Sequence, residues 1–348
     1  MANGRIRVGI VGLGTGRYHI SPYRHHPQCE VVALADPDAG RRQSIALDYQ
    51  VERAFSSAEE MFASGEVDAV SIATPNATHA PLTLAALDAG LHVLVEKPMA
   101  MNAGEAEQML ARAHEKNLKL GVHFNHRMNP AVQFIGRYAE AGELGEIYFA
   151  RTTWHRNRGI PARASLVSQE HAGGGVLIDL GVHMLDQTLY VMGYPRVASV
   201  SAAVHSKFHQ QDVPHLEMDV EDFATAYLRF ETGATLVLEL SWASHHSHPE
   251  QMLMQVYGSR GGAKRKTESY HHTEASVYRR EHGAVVATKM VEAPHGIVSV
   301  QQDFIQAILD GREPACSGQH GLTAMRVLDA IYESSRQGRE VQVRDDRP

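Results

Sequence analysis

The sequence predicts two α/β units. Residues 1–125 read as a doubly wound parallel sheet, and 126–348 as an α+β domain with a large, mostly antiparallel open sheet. Three observations predict this. Short runs rich in Val, Ile and Leu alternate with helical patterns through the first third of the chain. The first of those runs ends in a glycine-rich turn. After about Asn125 the runs lengthen, and apolar residues alternate with polar ones.

The buried-strand runs cover 5–11, 31–35, 69–73, 92–95 and 119–122. Between them, 80–89 reads as a helix with Pro81 in its first turn and Gly90 just past its end. Asn102, with Glu105 three residues on, predicts a capping box opening a helix through 113. Strands separated by such helices form parallel, right-handed crossovers. In the second half, 223–230 and 234–242 read as a hairpin joined at Glu231-Thr232-Gly233. Leu236, Leu238, Leu240 and Trp242 share one face, with Thr235, Glu239 and Ser241 opposite, as in a sheet covered on one side. Further strands are expected at 146–153, 197–206, 252–257, 275–278 and 284–289, and helices at 298–309 and 322–335. No internal repeat or low-complexity linker interrupts the chain.

The 348 residues are ample for two domains with buried cores. With 33 basic against 40 acidic residues the chain has no broad basic surface, which excludes nucleic acid as a partner. No apolar stretch approaches the length of about 18 residues that a membrane span requires, so no membrane partner is expected. Cys29 and Cys316 cannot build a disulfide framework, and the N-terminal residues lead into a strand without a signal-peptide core. A cytoplasmic protein is expected. The 22 histidines are numerous, and composition alone leaves metal, proton chemistry and plain surface open.

The glycine turn is Gly12-Leu13-Gly14-Thr15-Gly16-Arg17. In a dinucleotide fold the first glycine permits the tight turn, the second lets the pyrophosphate approach the backbone, and the third lets helix and strand pack closely. Here the third glycine comes one position early. Asp36 closes the second strand 24 residues after Gly12, where a carboxylate accepts from a ribose 2′-OH and repels a 2′-phosphate. The pattern predicts NAD as the preferred cofactor. Arg41 and Arg42 follow closely and leave NADP open.

Thr74-Pro75-Asn76 and Glu96-Lys97-Pro98 follow the third and fourth buried runs, at the carboxyl edge where ligands bind open α/β sheets. A lysine there can donate to a substrate hydroxyl and stabilise its alkoxide; the plain alternative is a solvated strand-end lysine paired with Glu96. A second cluster is Gly173-Gly174-Gly175 followed by Asp179, His183 and Asp186 on a helical pattern. Asp179 and His183, four residues apart, share a helix face and suit acid–base work, although a structural Asp–His contact has the same spacing. Asp179, His183 and Asp186 offer too few ligands to carry a metal site, so no metal is expected. His155, Arg156 and Arg158 combine aromatic and cationic groups suited to a polyol or to a sheet edge. His245, His246, His248, His271 and His272 read as rim or loop residues.

The glycine turn, Thr74-Pro75-Asn76 with His79, Glu96-Lys97-Pro98 and the GGG-x-x-x-D-x-x-x-H segment ending in Asp186 resemble the Gfo/Idh/MocA oxidoreductases in order and approximate spacing. The resemblance implies an N-terminal Rossmann domain, NAD(P), and oxidation or reduction of secondary alcohols of sugars and cyclitols. It implies a catalytic trio of Lys97, Asp179 and His183; the residue types at His155 and Arg158 add an expectation that these two lie beside the substrate. The cofactor would be held by Gly12, Gly14, Thr15, Gly16, Arg17, Asp36, Thr74, Pro75, Asn76, His79, Glu96, Lys97 and Asn125. A homodimer or homotetramer assembled through the second sheet is also implied. Two relations within the same fold stay open as alternatives: glycoside cleavage through transient oxidation by NAD, and a dinucleotide-binding regulator without turnover.

Overall fold

The computed structural model describes residues 4–268 and 272–343; His271 lies outside them. The chain divides into two compact units, Met1–Phe124 with Val298–Met325, and Asn125–Ile297 with Arg326–Pro348. The first stretch runs β1 (Ile6–Val11), α1 (Arg17–Arg24), β2 (Cys29–Ala35), α2 (Ala39–Asp48), β3 (Arg53–Phe55), α3 (Ala58–Ala63), β4 (Ala69–Ile72), α4 (His79–Asp88), β5 (His92–Val95), α5 (Ala103–Glu115) and β6 (Leu120–Val122). The second runs α6 (Pro130–Glu140), β7 (Ile147–Arg156), α7 (Gln169–Ala172), α8 (Val182–Val191), β8 (Val197–His205), α9 (His209–Asp212), β9 (Phe223–Phe230), β10 (Thr235–Ser241), β11 (Glu250–Gly258), β12 (Gly261–Glu268), β13 (His272–Glu281) and β14 (Ala284–Lys289). The chain ends in α10 (Val300–Asp310), α11 (Gly318–Gln337) and β15 (Val341–Gln342).

In the first unit six parallel strands lie in the order β3-β2-β1-β4-β5-β6. The order reverses between β1 and β4, the switch point where such sheets bind ligands. All four residues of β4 are buried, as are three of the four in β5, because helices cover both faces. The edge strand β3 has no apolar run and is invisible in the sequence pattern. Asn102 caps α5 by accepting from Glu105 N–H at 2.9 Å, but Glu105 Oε2 accepts from Met101 rather than completing the box on Asn102. The segment Val298–Met325, which the sequence reading places with the second domain, belongs to this unit. Phe304 and Ile305 of α10 are buried, Gln306 bonds His26 at 3.2 Å, and Ser317 bridges Gly121.

In the second unit nine strands lie in the order β14-β13-β12-β11-β7-β10-β9-β8-β15. Neighbours are antiparallel except β7 and β10, which run parallel. The β9–β10 hairpin turns at Gly233, whose φ of 88° only glycine adopts freely. One face is buried by alternate residues, among them Ala226, Leu238, Met254 and Val256, under α6 and α8. The other carries Phe149, Arg151, Val237, Tyr227 and Leu253, half-buried or exposed. Strand β12 escapes the sequence pattern because a buried Arg265 and Thr267 stand where apolar residues would mark the covered face.

Candidate active site

In the glycine turn each small residue has its own cause. A Cβ on Gly12 would lie 2.6 Å from Ala73 O, and one on Gly16 would lie 2.4 Å from Gly12 O, so backbone crowding excludes side chains at both. A Cβ on Gly14 would meet nothing within 4 Å, and Gly14 and Thr15 are exposed. Internal packing therefore explains the first and third glycines, whereas the second has open space beside it. The residues fit a dinucleotide, and the early third glycine is accommodated. Arg17 is exposed and donates to Tyr18 Oη at 2.8 Å.

Asp36 is 3% exposed. Its Oδ2 accepts from Leu13 N–H at 2.8 Å and from Arg41 Nη1 at 3.1 Å, tying the glycine turn to the end of β2. Thr74, Pro75 and Asn76 lie on the rim after β4, where Thr78 Oγ1 donates to Thr74 Oγ1 at 2.7 Å. His79 is fully buried: its ring nitrogens lie 2.7 Å from Pro98 O and 2.9 Å from Thr74 O. It therefore braces the two rim loops from beneath instead of facing a ligand directly. Burial keeps it below the ordinary histidine value. Lys97 sits half-buried after β5, before Pro98 in a cis peptide. Glu96 Oε2 accepts from Lys97 N–H at 3.0 Å, and its Oε1 accepts from His19 and His123 at 2.9 and 2.8 Å.

The second unit presents Asp179 from a π-helical turn, Leu177–Gly181, and His183 from the start of α8, into which the turn runs. The turn's N-terminal amides are satisfied by a distant carboxylate: Glu221 accepts from Gly175 N–H at 3.0 Å and Leu177 N–H at 2.9 Å, and Tyr332 Oη donates to it at 3.0 Å. Burial pushes the Glu221 carboxyl up, and the Leu177 and Gly175 amides oppose that shift. A Cβ on Gly175 would lie 1.9 Å from Glu221 O, which accounts for the last glycine of the triplet. Trp242 Nε1 donates to Asp179 Oδ2 at 3.0 Å, and Arg156 Nη1 lies 4.0 Å from the same oxygen. The His183 ring stacks on His126 with centroids 4.4 Å apart, and Trp154 closes the group at 5.1 Å from His126. Glu250 Oε1 accepts from Trp154 Nε1 at 2.6 Å and Arg156 Nε at 2.8 Å. An acid, an imidazole, aromatic walls and a fixed cation thus share one surface, a set suited to hydroxyl-rich ligands and proton transfer.

Several expectations need correction here. His155 neighbours Trp154 on β7 and therefore points to the opposite face, where it lies beside Phe223 and His246 at 6.3 and 5.5 Å. Arg158 lies past the strand end and pairs with Asp212 at 3.2 Å. Arg156, two residues beyond Trp154 on the same face, is the cation beside Asp179. Asp186 is engaged by buried Arg127 and by Tyr194. Asn125 is exposed at the start of a short 3₁₀ turn. The sequence reading missed His19, His123, His126, Trp242, Glu221 and Glu250. Only strand parity signalled one of them: Trp242 ends the covered row of β10.

A model described as oxidoreductase family, NAD-binding Rossmann fold, matches residues 6–124, and one described as oxidoreductase family, C-terminal alpha/beta domain, matches 139–343. D-glucoside 3-dehydrogenase of Escherichia coli (strain K12) is 28% identical over 99% of both chains. A scyllo-inositol 2-dehydrogenase (NAD(+)) of Bacillus subtilis (strain 168) is 26% identical over 97% of this chain and 96% of its own. The solved structure of a levoglucosan dehydrogenase in complex with NADH superposes with a TM-score of 0.87 at 23% identity, covering 98% of this chain and 100% of that one, and shares the fold. The chain belongs to the Gfo/Idh/MocA family of NAD-binding oxidoreductases.

Proposed function

We propose that this oxidoreductase transfers a hydride between nicotinamide and a secondary alcohol of a sugar, sugar derivative or cyclitol. In the oxidative direction His183 takes the hydroxyl proton as general base, Lys97 stabilises the developing alkoxide, and Asp179 orients substrate. Bound NAD supplies the hydride acceptor at its nicotinamide ring. Gly12 to Arg17 would hold the pyrophosphate, and Asp36 the adenosine ribose. The single observation that carries the reading is the Asp179–His183 turn, with the carboxylate fixed by Trp242 and the imidazole stacked on His126. The names of the sugar and inositol dehydrogenases among its relatives support the substrate class. Metal is not part of the proposed chemistry.

Asp36 supports a preference for NAD, while Arg41 beside it offsets part of its charge and supports residual use of NADP. Asp36→Ala is expected to narrow the NAD/NADP ratio of kcat/KM by roughly tenfold or more, the loss of one charge-repulsion term. An unchanged ratio would remove Asp36 from cofactor selection. The half-buried apolar residues on the open sheet face, with the Arg151–Glu239 pair among them, support assembly with a second copy as a dimer or tetramer. Light scattering that finds a monomer at micromolar concentration would contradict this. Among the described residues no helix is long and apolar enough to cross a membrane, and Cys29 and Cys316 are buried free thiols, which suits the proposed cytoplasmic location. The primary test is nicotinamide absorbance across aldoses, inositols and anhydrosugars, with wild type, Lys97→Ala and His183→Ala.

A further inference from the structure

Beneath Lys97, buried polar groups close a hydrogen-bond circuit. His19 of α1 donates from Nε2 to Glu96 Oε1 at 2.9 Å, and its Nδ1 lies 2.8 Å from Ser71 Oγ on β4. Gln301 Nε2 of α10 donates to His123 Nε2 at 2.9 Å, which leaves the ring proton on Nδ1, and Nδ1 donates to the same Glu96 oxygen at 2.8 Å. The second oxygen accepts from Lys97 N–H at 3.0 Å. Each ring nitrogen of the two imidazoles thus faces a single hydrogen-bond partner. The Glu96, His19 and His123 side chains are only 12%, 2% and 13% exposed. Burial opposes ionisation of Glu96, but His123 and His19 together outweigh it and hold the carboxyl well below its usual range.

We propose that Glu96 is a positioning residue, fixed by His19 and His123, that sets the main chain of Lys97 and hence the direction in which its ammonium leaves the sheet edge. This rests on the reading of Lys97 as the group that stabilises the alkoxide. Strand β5 ends at Val95, and Pro98 has no N–H, so Lys97 is the last donor of this segment and takes its acceptor from the side chain of the residue before it. One carboxylate therefore couples the starts of α1 and α10 and the end of β6 to the lysine. The three ligating atoms lie within 4.8 Å of one another, a spacing that metal sites also show. The Gln301 donor argues for hydrogen bonds instead, because it puts a proton on the His123 nitrogen that a metal would need.

The test uses the full-length protein. Glu96→Ala is expected to lower kcat roughly 10- to 100-fold through misplacement of the lysine, with substrate KM within about threefold of wild type. Glu96→Gln should recover most of kcat: once Gln301 turns its amide oxygen toward His123 Nε2, both imidazoles can change tautomer and accept from the new amide, whose oxygen still accepts from Lys97. In a Lys97→Ala background Glu96→Ala should cost nothing further, because it acts through the absent side chain. Without cofactor, hydrogen exchange at the Lys97 amide should quicken in Glu96→Ala and in His123→Ala but not in His123→Asn, whose amide replaces the Nδ1 donor. The His123 pair keeps the idea testable if Glu96→Ala does not fold. Wild-type kcat in Glu96→Ala alongside a slow Lys97→Ala, additive losses in the double variant, or stoichiometric zinc in the purified protein would each overturn the proposal. A full-rate Lys97→Ala would instead remove the reading of Lys97 on which it rests.

Discussion

At the rim of the parallel sheet, polar groups at strand ends and at the start of α4 are held by their neighbours: Asp36 by Leu13 and Arg41, Glu96 by His19 and His123, His79 by two carbonyls. In the second unit the corresponding groups come from one face of a sheet and one turn of helix. There Asp179 is held by an indole and His183 by a stacked imidazole, while a remote carboxylate, Glu221, anchors the turn itself. Strand ends place a residue by topology, so a short motif suffices to locate it. A sheet face places a residue by parity, so a shift of one position carries it to the other side.

The largest effect that tests this contrast falls on the anchor. Gly175→Ala should destabilise the second unit by about 3 kcal/mol or prevent folding, since the new Cβ meets main chain rather than a yielding side chain. An unchanged thermal midpoint would show that the turn is not held as described. Gly14→Ala should do the reverse, leaving the melting temperature of the cofactor-free protein unchanged while weakening NAD binding roughly 10- to 100-fold by titration calorimetry. If it destabilised the free protein instead, the glycine would have an internal cause.

Parity itself is sharpened by a neighbouring pair. Arg156→Met should raise the substrate KM about tenfold, the usual worth of a charged hydrogen bond, whereas His155→Met should leave kcat and KM alone. Equal losses at both positions would contradict the assignment of faces. The smallest effect is on pH. His19, His79, His92 and His155 all lie below the ordinary 6.5, chiefly because of burial. The unfolded chain therefore binds their protons more readily than the folded one, and stability should fall as pH drops through about 6.5. The urea midpoint should be lower at pH 5.5 than at 7.5, and the opposite order would show that these rings gain rather than lose protons on folding.

These contrasts also explain what the sequence made legible. Gly12, Asp36, Lys97 and five of the six parallel strands stand out because buried strands are continuous apolar runs and their ends are punctuated by Gly or Pro. Asp179 and His183 stand out because they lie four residues apart on a helical pattern behind a glycine triplet. His19 and His123 did not, since each acts through a carboxylate distant in sequence. The sequence does not separate Arg156 from His155 and Arg158, because the facing of β7 depends on its register with β10 and β11. Val298–Met325 was placed with the wrong unit because a helical pattern carries no mark of the sheet it will return to.

The central claim is that this fold turns over a sugar or cyclitol through His183 and Lys97. It is tested most directly by following nicotinamide absorbance on the best substrate of a polyol panel. The account predicts NADH formation by wild type and losses in kcat of roughly 100-fold or more in both His183→Ala and Lys97→Ala, with each variant still folded and binding NAD. Full turnover in either variant, or no NADH from any alcohol in the panel, would contradict it.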